Sequence, residues 1–264
     1  MKIDLSLLGG IVLRIAQQEL LPRFASPDPQ LKADGSLVTS ADFAVQSALA
    51  MELRRQWPQI ALAGEEGPDE LSASLLASPW VWCIDPLDGT TNFCSGLPFF
   101  AVSVALLHEK APVAAAIYDP CRDELFTAYQ GVGAWLNGES LEGKSQRLPL
   151  KNGVGVVDFK RLAPGLATKL ALSPPYSSQR SFGSVALDWC WLAAGRFDVY
   201  LHGNQKVWDY AAGTLILSEA GGCSSTLTGE TVFSPTFSPR SVIAAGDKST
   251  FDAWSEWIRS ASQP

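Results

Sequence analysis

The chain is predicted to fold as an α+β or α/β protein with two dissimilar sheets, and three observations carry that expectation. Residues 101–136 read as three or four short apolar segments with turn signals at Glu109-Lys110, Asp119-Pro120 and Gly131, the pattern of an antiparallel meander. Beyond residue 154 strand-like and helix-like stretches alternate, as in a mixed or parallel sheet covered by helices. Two stretches of helical period precede both.

The first of these has Leu8, Val12 and Ile15 on one face and predicts an amphipathic helix over 3–21, closing before Pro22. Its apolar run from Leu5 to Leu13 is not read as a signal peptide, because Asp4, Arg14 and Glu19 interrupt it and no A-x-A site follows. Ser26 to Ser36, with Pro27, Pro29 and Gly35, reads as a loop. Val45, Leu49, Leu53 and Trp57 then form an i, i+4 stripe, a second helix ended by Pro58. Thr39 or Ser40 caps it, which puts Asp42 in the first turn beside the free amides.

Ile60–Ala63 and Trp80–Ile84 read as buried strands that stop abruptly at acids, Glu65-Glu66 after the first and Asp85 and Asp88 after the second. Residues 136–155 are polar, with Gly138, Gly143 and Gly153, and are the candidate boundary between an N-terminal domain of residues 1–145 and a C-terminal domain of residues 146–264. The second half is expected to run strand 154–159, helix 160–172, helix 184–194, strand 197–201, helix 209–220, strands 223–227 and 241–245, and helix 249–259. No internal repeat or low-complexity tract interrupts it.

Composition narrows the function. With 264 residues, 47% of them apolar, the chain can bury a substantial core, and no apolar run approaches the ~20 residues of a membrane helix. A formal net charge of −7 lacks the basic footprint of a duplex-nucleic-acid binder. Five cysteines, Cys83, Cys94, Cys121, Cys190 and Cys223, are widely spaced without a C-x-x-C pair, which fits neither a zinc cluster nor a disulfide framework and points to a reducing, cytoplasmic compartment. The chain has only two histidines, His108 and His202, so a site needing several imidazoles is excluded. Any metal chemistry would rest on carboxylates, which favour magnesium, manganese or calcium.

The string Asp85-Pro86-Leu87-Asp88-Gly89-Thr90-Thr91-Asn92-Phe93 places two carboxylates at a strand end, with Pro86 and Gly89 turning the backbone between them. Gly89 and Thr90 then present amides where a helix could start, a ready anion cradle. A short D-P-x-D-G alone is also an ordinary capped turn, but the longer string preceded by a second acidic strand end carries more. Glu65 lies between Gly64 and Gly67, which permit close backbone approach, and reads otherwise as an exposed acidic turn. Asp209 opens a helix in Val207-Trp208-Asp209-Tyr210-Ala211-Ala212-Gly213, where an N-cap is the alternative. Together Glu65, Asp85, Asp88 and Asp209 could hold two or three magnesium ions in the arrangement that serves phosphoryl transfer. Most of the nine tryptophans sit in apolar-periodic segments and read as core, and Cys83, inside a strand, is given no catalytic role.

Gly64-Glu65-Glu66, the string from Trp82 through Ile84-Asp85 to Phe93, and Trp208-Asp209 with Ala211-Ala212-Gly213 and the trailing Glu219-Ala220-Gly221-Gly222 resemble the three signatures of the inositol monophosphatase family. That family belongs to the magnesium-dependent, lithium-sensitive phosphatases that also include fructose bisphosphatases. The similarity runs in order from Lys32 through Leu37-Val38-Thr39 and Asp42 to Gly246. It implies a layered αβαβα sandwich of the sugar-phosphatase type and a phosphoric monoester hydrolase, acting on an inositol-1-phosphate-type polyol or sugar phosphate through metal-activated water. By the resemblance, Glu65, Asp85 and the Leu87 carbonyl hold a first magnesium, Asp85, Asp88 and Asp209 a second, and Glu65 with water a weaker third, with manganese an alternative ion. Thr90 hydrogen-bonds to Asp42, and the pair with Glu65 orients and deprotonates water. The amides of Gly89 and Thr90 receive the phosphate, with Asp88 and Asp209 beside it.

On the substrate side, Arg180 followed by Gly183-Ser184 resembles the stretch that reaches the alcohol portion, with Ser184 and Val185 near it. Seven residues before Asp209, where many inositol phosphatases carry a glutamate for ring hydroxyls, this chain has His202, read here as a substrate contact. Fructose-1,6-bisphosphatase, 3′-phosphonucleotide phosphatase and histidinol-phosphatase are the alternatives on the same fold. The resemblance also favours a homodimer. Some bacterial relatives serve as partners of transcription or RNA-processing machinery, a non-catalytic role against which net −7 and a complete ligand set both weigh.

Overall fold

The computed structural model describes residues 3–24, 27–33, 35–66, 78–144, 149–235 and 237–262. Helix α1 (Leu5–Glu19) starts later than its periodicity implied because Asp4 takes the cap, accepting the Ser6 and Leu7 amides. The chain then turns again into a short helix, α2 (Leu21–Phe24), which tolerates Pro22 because a first turn needs no amide donor there. Within the expected loop, β1 (Gln30–Leu31) and β2 (Leu37–Val38) pair antiparallel. Helix α3 (Ser40–Gln56) is capped by Thr39 and buries Val45, Leu49 and Leu53.

Strands β3 (Ala61–Gly64) and β4 (Trp80–Asp88) run parallel, and the short helix α4 (Thr90–Cys94) follows β4. The meander is β5 (Ala101–His108), β6 (Ala111–Asp119), β7 (Glu124–Tyr129), β8 (Gly133–Leu136) and β9 (Glu139–Ser140), each antiparallel to the last. The expected turn between β5 and β6 puts Glu109 and Lys110 both at positive φ, 47° and 66°, the backbone twist a tight hairpin needs. These strands form one seven-stranded sheet in sequence order from β3 to β9.

The second half runs β10 (Val154–Asp158), α5 (Pro164–Leu172), β11 (Ser178–Arg180), α6 (Val185–Ala193), β12 (Val199–Gln205), α7 (Val207–Glu219), β13 (Cys223–Ser225), β14 (Arg240–Ala245) and α8 (Lys248–Ala261). It forms a five-stranded mixed sheet, order β11-β10-β12-β14-β13, with β10 parallel to β11 and β12 and the rest antiparallel. Strand β11 carries no alternation that a sequence reading could detect, being three residues of which two are exposed. Strand β12 was expected to stop at residue 201. It continues through His202-Gly203-Asn204 with a register shift against β14, where the polar run hides the strand.

Three apolar clusters stack these elements into αβαβα layers. Helices α1 and α3 cover one face of the seven-stranded sheet with Leu8, Val12, Val45 and Leu49 against Trp82, Val104 and Ala116. Its other face packs through Ala105, Ile117 and Phe126 on α6 and α7, whose far side meets the second sheet at Val156, Tyr200 and Val242. Helices α5 and α8 close the opposite face with Leu166, Leu170, Trp254 and Ile258. The boundary expected at residues 145–146 lies outside the described residues, as do Ser26 and Gly67. Among the described residues no helix is long and apolar enough to cross a membrane.

The middle layer depends on one close approach. A Cβ at Gly213 of α7 would stand 2.4 Å from the Trp189 Cβ of α6. Gly213→Ala should therefore force these helices apart at ~1–3 kcal/mol, lowering the thermal midpoint by several degrees in a chain of this size. An unchanged midpoint in differential scanning calorimetry would show that the helices re-pack at no cost.

Candidate functional site

The site forms where the C-terminal end of β4 meets the N-termini of α6 and α7. Asp85 lies at the end of the regular β4–β5 ladder, and the register shifts between Asp85 and Asp88. Pro86 has no amide to give, and the next amide, that of Leu87, donates instead to Asp85 Oδ1 at 3.0 Å. Gly89 then turns the chain at φ 92°, where a Cβ would meet the Phe99 carbonyl at 3.0 Å. Asp88 leaves this turn toward the other half of the molecule: its Oδ2 accepts the Ala186 amide at 2.8 Å and the Ser184 hydroxyl. Asp209 is the third residue of α7, not its cap, and its Oδ2 accepts the Lys206 amide at 2.9 Å.

Asp85, Asp88 and Asp209 thereby each bring a carboxylate oxygen within 4.8 Å of the others. Burial pushes Asp85 and Asp209 well above the usual carboxylate range, and repulsion from Glu65 and Asp88 adds to it. Asp88 is pushed up by burial to about 6, the bonds from Ser184 and the α6 amides working against the rise. A cation placed among them would relieve both causes. The donor set, three carboxylates, is all oxygen and suits magnesium or manganese.

Glu65 follows β3, held by its amide to the Ile84 carbonyl at 3.1 Å. Its Oε1 meets the Lys32 ammonium at 2.8 Å, and the same ammonium contacts Glu66. Burial alone would lower the Lys32 ammonium, but the two carboxylates outweigh it and hold it above its ordinary value. Glu66 is clamped by Gln46, which accepts its amide at 3.0 Å and donates to its carbonyl. That clamp requires Gly64, where a Cβ would lie 2.2 Å from Gln46 Oε1.

Asp42 closes the capping box of α3, Oδ2 accepting the Thr39 amide at 2.8 Å and hydroxyl at 2.7 Å. Burial raises its carboxyl, with Glu65 adding to the shift. Asp42 Oδ1 faces Thr90 Oγ1 at 3.5 Å, while the Thr90 hydroxyl donates more closely to the Leu87 carbonyl at 3.0 Å. Asn92 ties α4 across to the second half, donating to the Phe99 and Phe182 carbonyls at 2.8 and 2.7 Å.

A cavity of about 720 Å³ opens over these groups, lined by Glu65, Asp88, Gly89, Thr90, Ser184, Val185, His202 and Asp209. Ser184 is buried and commits its hydroxyl to Asp88. His202 is also buried, and both ring nitrogens are engaged within the protein. Nδ1 accepts the Asn204 amide at 3.1 Å, and Nε2 lies 3.0 Å from Asp158 Oδ2. A nitrogen that accepts from an amide carries no proton, so the ring is the neutral tautomer donating from Nε2, in keeping with the lowering that burial imposes. Sequence reasoning missed Asp158, Lys160 and Arg161 in the cavity wall. The signal available was an acid ending an apolar strand, as at Asp85.

The sequence model of the inositol monophosphatase family matches residues 8–262. The chain belongs to that family. Among its relatives, Nus factor SuhB of Salmonella typhimurium is 36% identical over 224 residues, 82% of each chain. Among solved structures, extragenic suppressor protein SuhB from Bartonella henselae superposes with a TM-score of 0.83 at 30% identity, covering 96% of this chain and 97% of the other. The IMPase of Thermotoga maritima superposes with a TM-score of 0.84 at 26% identity, covering 97% of each. The layered fold expected of the family is the fold observed.

Asp209→Asn keeps an oxygen for the Lys206 amide and removes one of three clustered charges. In chelator the variant should melt higher than the parent, by about 2–8 °C for the ~1–2 kcal/mol of relieved repulsion. Magnesium should raise the parent's midpoint and leave the variant's nearly unchanged. Equal magnesium protection of both proteins would remove Asp209 from the metal site.

Proposed function

We propose that this chain is a magnesium-dependent phosphomonoesterase that hydrolyses a small polyol or sugar phosphate. The observation that carries the reading is the trio of carboxylates held within 4.8 Å of one another by bonds from separate parts of the chain. Asp85, Asp88, Asp209, Glu65 and the Leu87 carbonyl would hold the magnesium, two or three ions in all. When bound, the metal supplies positive charge that acidifies a water and offsets charge developing on the phosphoryl oxygens.

The chain's own residues do the rest. Asp42, raised by burial and placed 3.5 Å from Thr90, is positioned to take a proton, with Thr90 orienting the donor and Glu65 across from them. The Gly89 and Thr90 amides receive the phosphate, at a turn only glycine forms without strain. Asp88, Ser184 and Val185 link this machinery to the alcohol side of the cavity. The family relationship favours a homodimer, and the free cysteines, Cys83, Cys94, Cys121, Cys190 and Cys223, fit a cytoplasmic setting.

A second reading, a non-catalytic partner of transcription machinery, draws on the name Nus factor carried by relatives at 36% identity. Co-purification with polymerase unaffected by Asp88→Asn would favour it.

Phosphate release from a panel of inositol, sugar and nucleotide monophosphates should cease in excess chelator and return with magnesium. Full turnover in chelator would sink the reading. Asp88→Asn should lose more kcat than Thr90→Ala, because it removes ligand charge where Thr90 only orients. Thr90→Ala should still fall by ~10²–10⁴-fold. Steady-state kinetics showing near-parent rates for either variant would take that residue out of the site.

A further inference from the structure

Part of the cavity wall is basic in a chain of net charge −7. Lys160, Arg161 and Lys206 line it, beside Asp158 and His202. Lys160 and Arg161 belong to a tight turn after β10, and three contacts fix that turn. The Asp158 carboxylate accepts the Lys160 amide at 3.0 Å and pairs with the Arg161 guanidinium. His202 Nε2 holds the same carboxylate at 3.0 Å. Strand β12 passes so close that a Cβ at Gly203 would lie 1.8 Å from the Arg161 carbonyl, which seats the turn on a rigid strand.

The charge balance of this wall is positive. Asp158 stays ionised, since His202 and Arg161 outweigh its burial, but Arg161 already answers it. Among the described residues no salt bridge engages the ammonium of Lys160 or Lys206. Lys160 and Arg161 are both exposed to the cavity. Lys160 and Lys206, which make no salt bridge among the described residues, and Arg161, shared with Asp158, leave a wall that matches an anion more closely than neutral hydroxyls.

We propose that the His202–Asp158 clamp holds Lys160 and Arg161 as an anion ledge, and that the substrate carries a second oxyanion, phosphate or carboxylate, on its alcohol portion. The proposal rests on the phosphatase reading and names the substrate class of the same site. It makes His202 a positioning residue, acting on substrate through Asp158 and the basic turn.

The test compares kcat/KM within matched pairs: fructose 1,6-bisphosphate against fructose 1-phosphate, and 3-phosphoglycerate against glycerol 3-phosphate. Each pair differs by one anionic group, phosphate in the first and carboxylate in the second. Each ratio is taken on one preparation, so a variant's inactive fraction cancels. The parent should prefer the doubly anionic member of at least one pair by roughly 10-fold or more, the scale of a charge-assisted hydrogen bond, and the preference should shrink with added salt. Lys160→Glu and Arg161→Gln should each cut the ratio by at least about 5-fold, and His202→Leu should cut it while His202→Gln, which keeps an N–H donor, retains it. A parent ratio near one in both pairs overturns the proposal. So does a variant in which both members lose alike, since the lysines would then only attract the scissile phosphate. If none of the four esters is hydrolysed, the Kd ratios of the same pairs, titrated calorimetrically with magnesium present, decide the ledge on the same 10-fold criterion. If the monophosphate panel is not hydrolysed either, the phosphatase reading has failed.

Discussion

Three carboxylates share one buried point, and much of the molecule is arranged to keep them there. Asp85, Asp88 and Asp209 bring carboxylate oxygens within 4.8 Å of one another, and burial together with repulsion raises all three carboxyls. One oxygen of each is tied down: Asp85 by the Leu87 amide, Asp88 by Ser184 and Ala186, Asp209 by Lys206. Donors from three parts of the chain thus hold together groups that repel, which ties the end of the first sheet to the starts of α6 and α7. A site of this kind stores strain that a cation releases, the usual relation between stability and function.

The walls around that point follow the same logic on a smaller scale. Asn92, Gln46 and His202 each bond a segment distant in sequence, at Phe182, Glu66 and Asp158, and each contact comes with a glycine that lets the backbone approach. A Cβ at Gly183 would meet Asn92 at 3.2 Å, one at Gly64 would meet Gln46 at 2.2 Å, and Gly203 admits the Arg161 carbonyl beside His202. Polar clamps of this type carry a steep penalty for a missing partner, so they hold loop geometry more strictly than apolar packing does. The cavity consequently joins an acidic floor on the first sheet to a basic ledge on the second.

Sequence alone was enough for the mixed α/β class, the main helices and the meander, because periodicity and turn residues act over a few positions, while the layered arrangement came from the family resemblance. Val45, Leu49 and Leu53 mark α3 whatever surrounds them, and Asp119-Pro120 ends β6 on local chemistry alone. It also singled out Asp85, Asp88 and Asp209, which the structure brings together, since Asp85 through Phe93 and Trp208-Asp209 are contiguous strings whose combination is specific. Tertiary structure decided what those acids touch. That Asp88 would bind the start of α6, about a hundred residues onward, is a pairing no local pattern encodes. That His202 would turn both nitrogens to Asp158 and Asn204 depends on β12 lying beside β10, a register set by the whole sheet. Local rules name the groups, and only long-range packing fixes which lone pair or proton each one has left to offer.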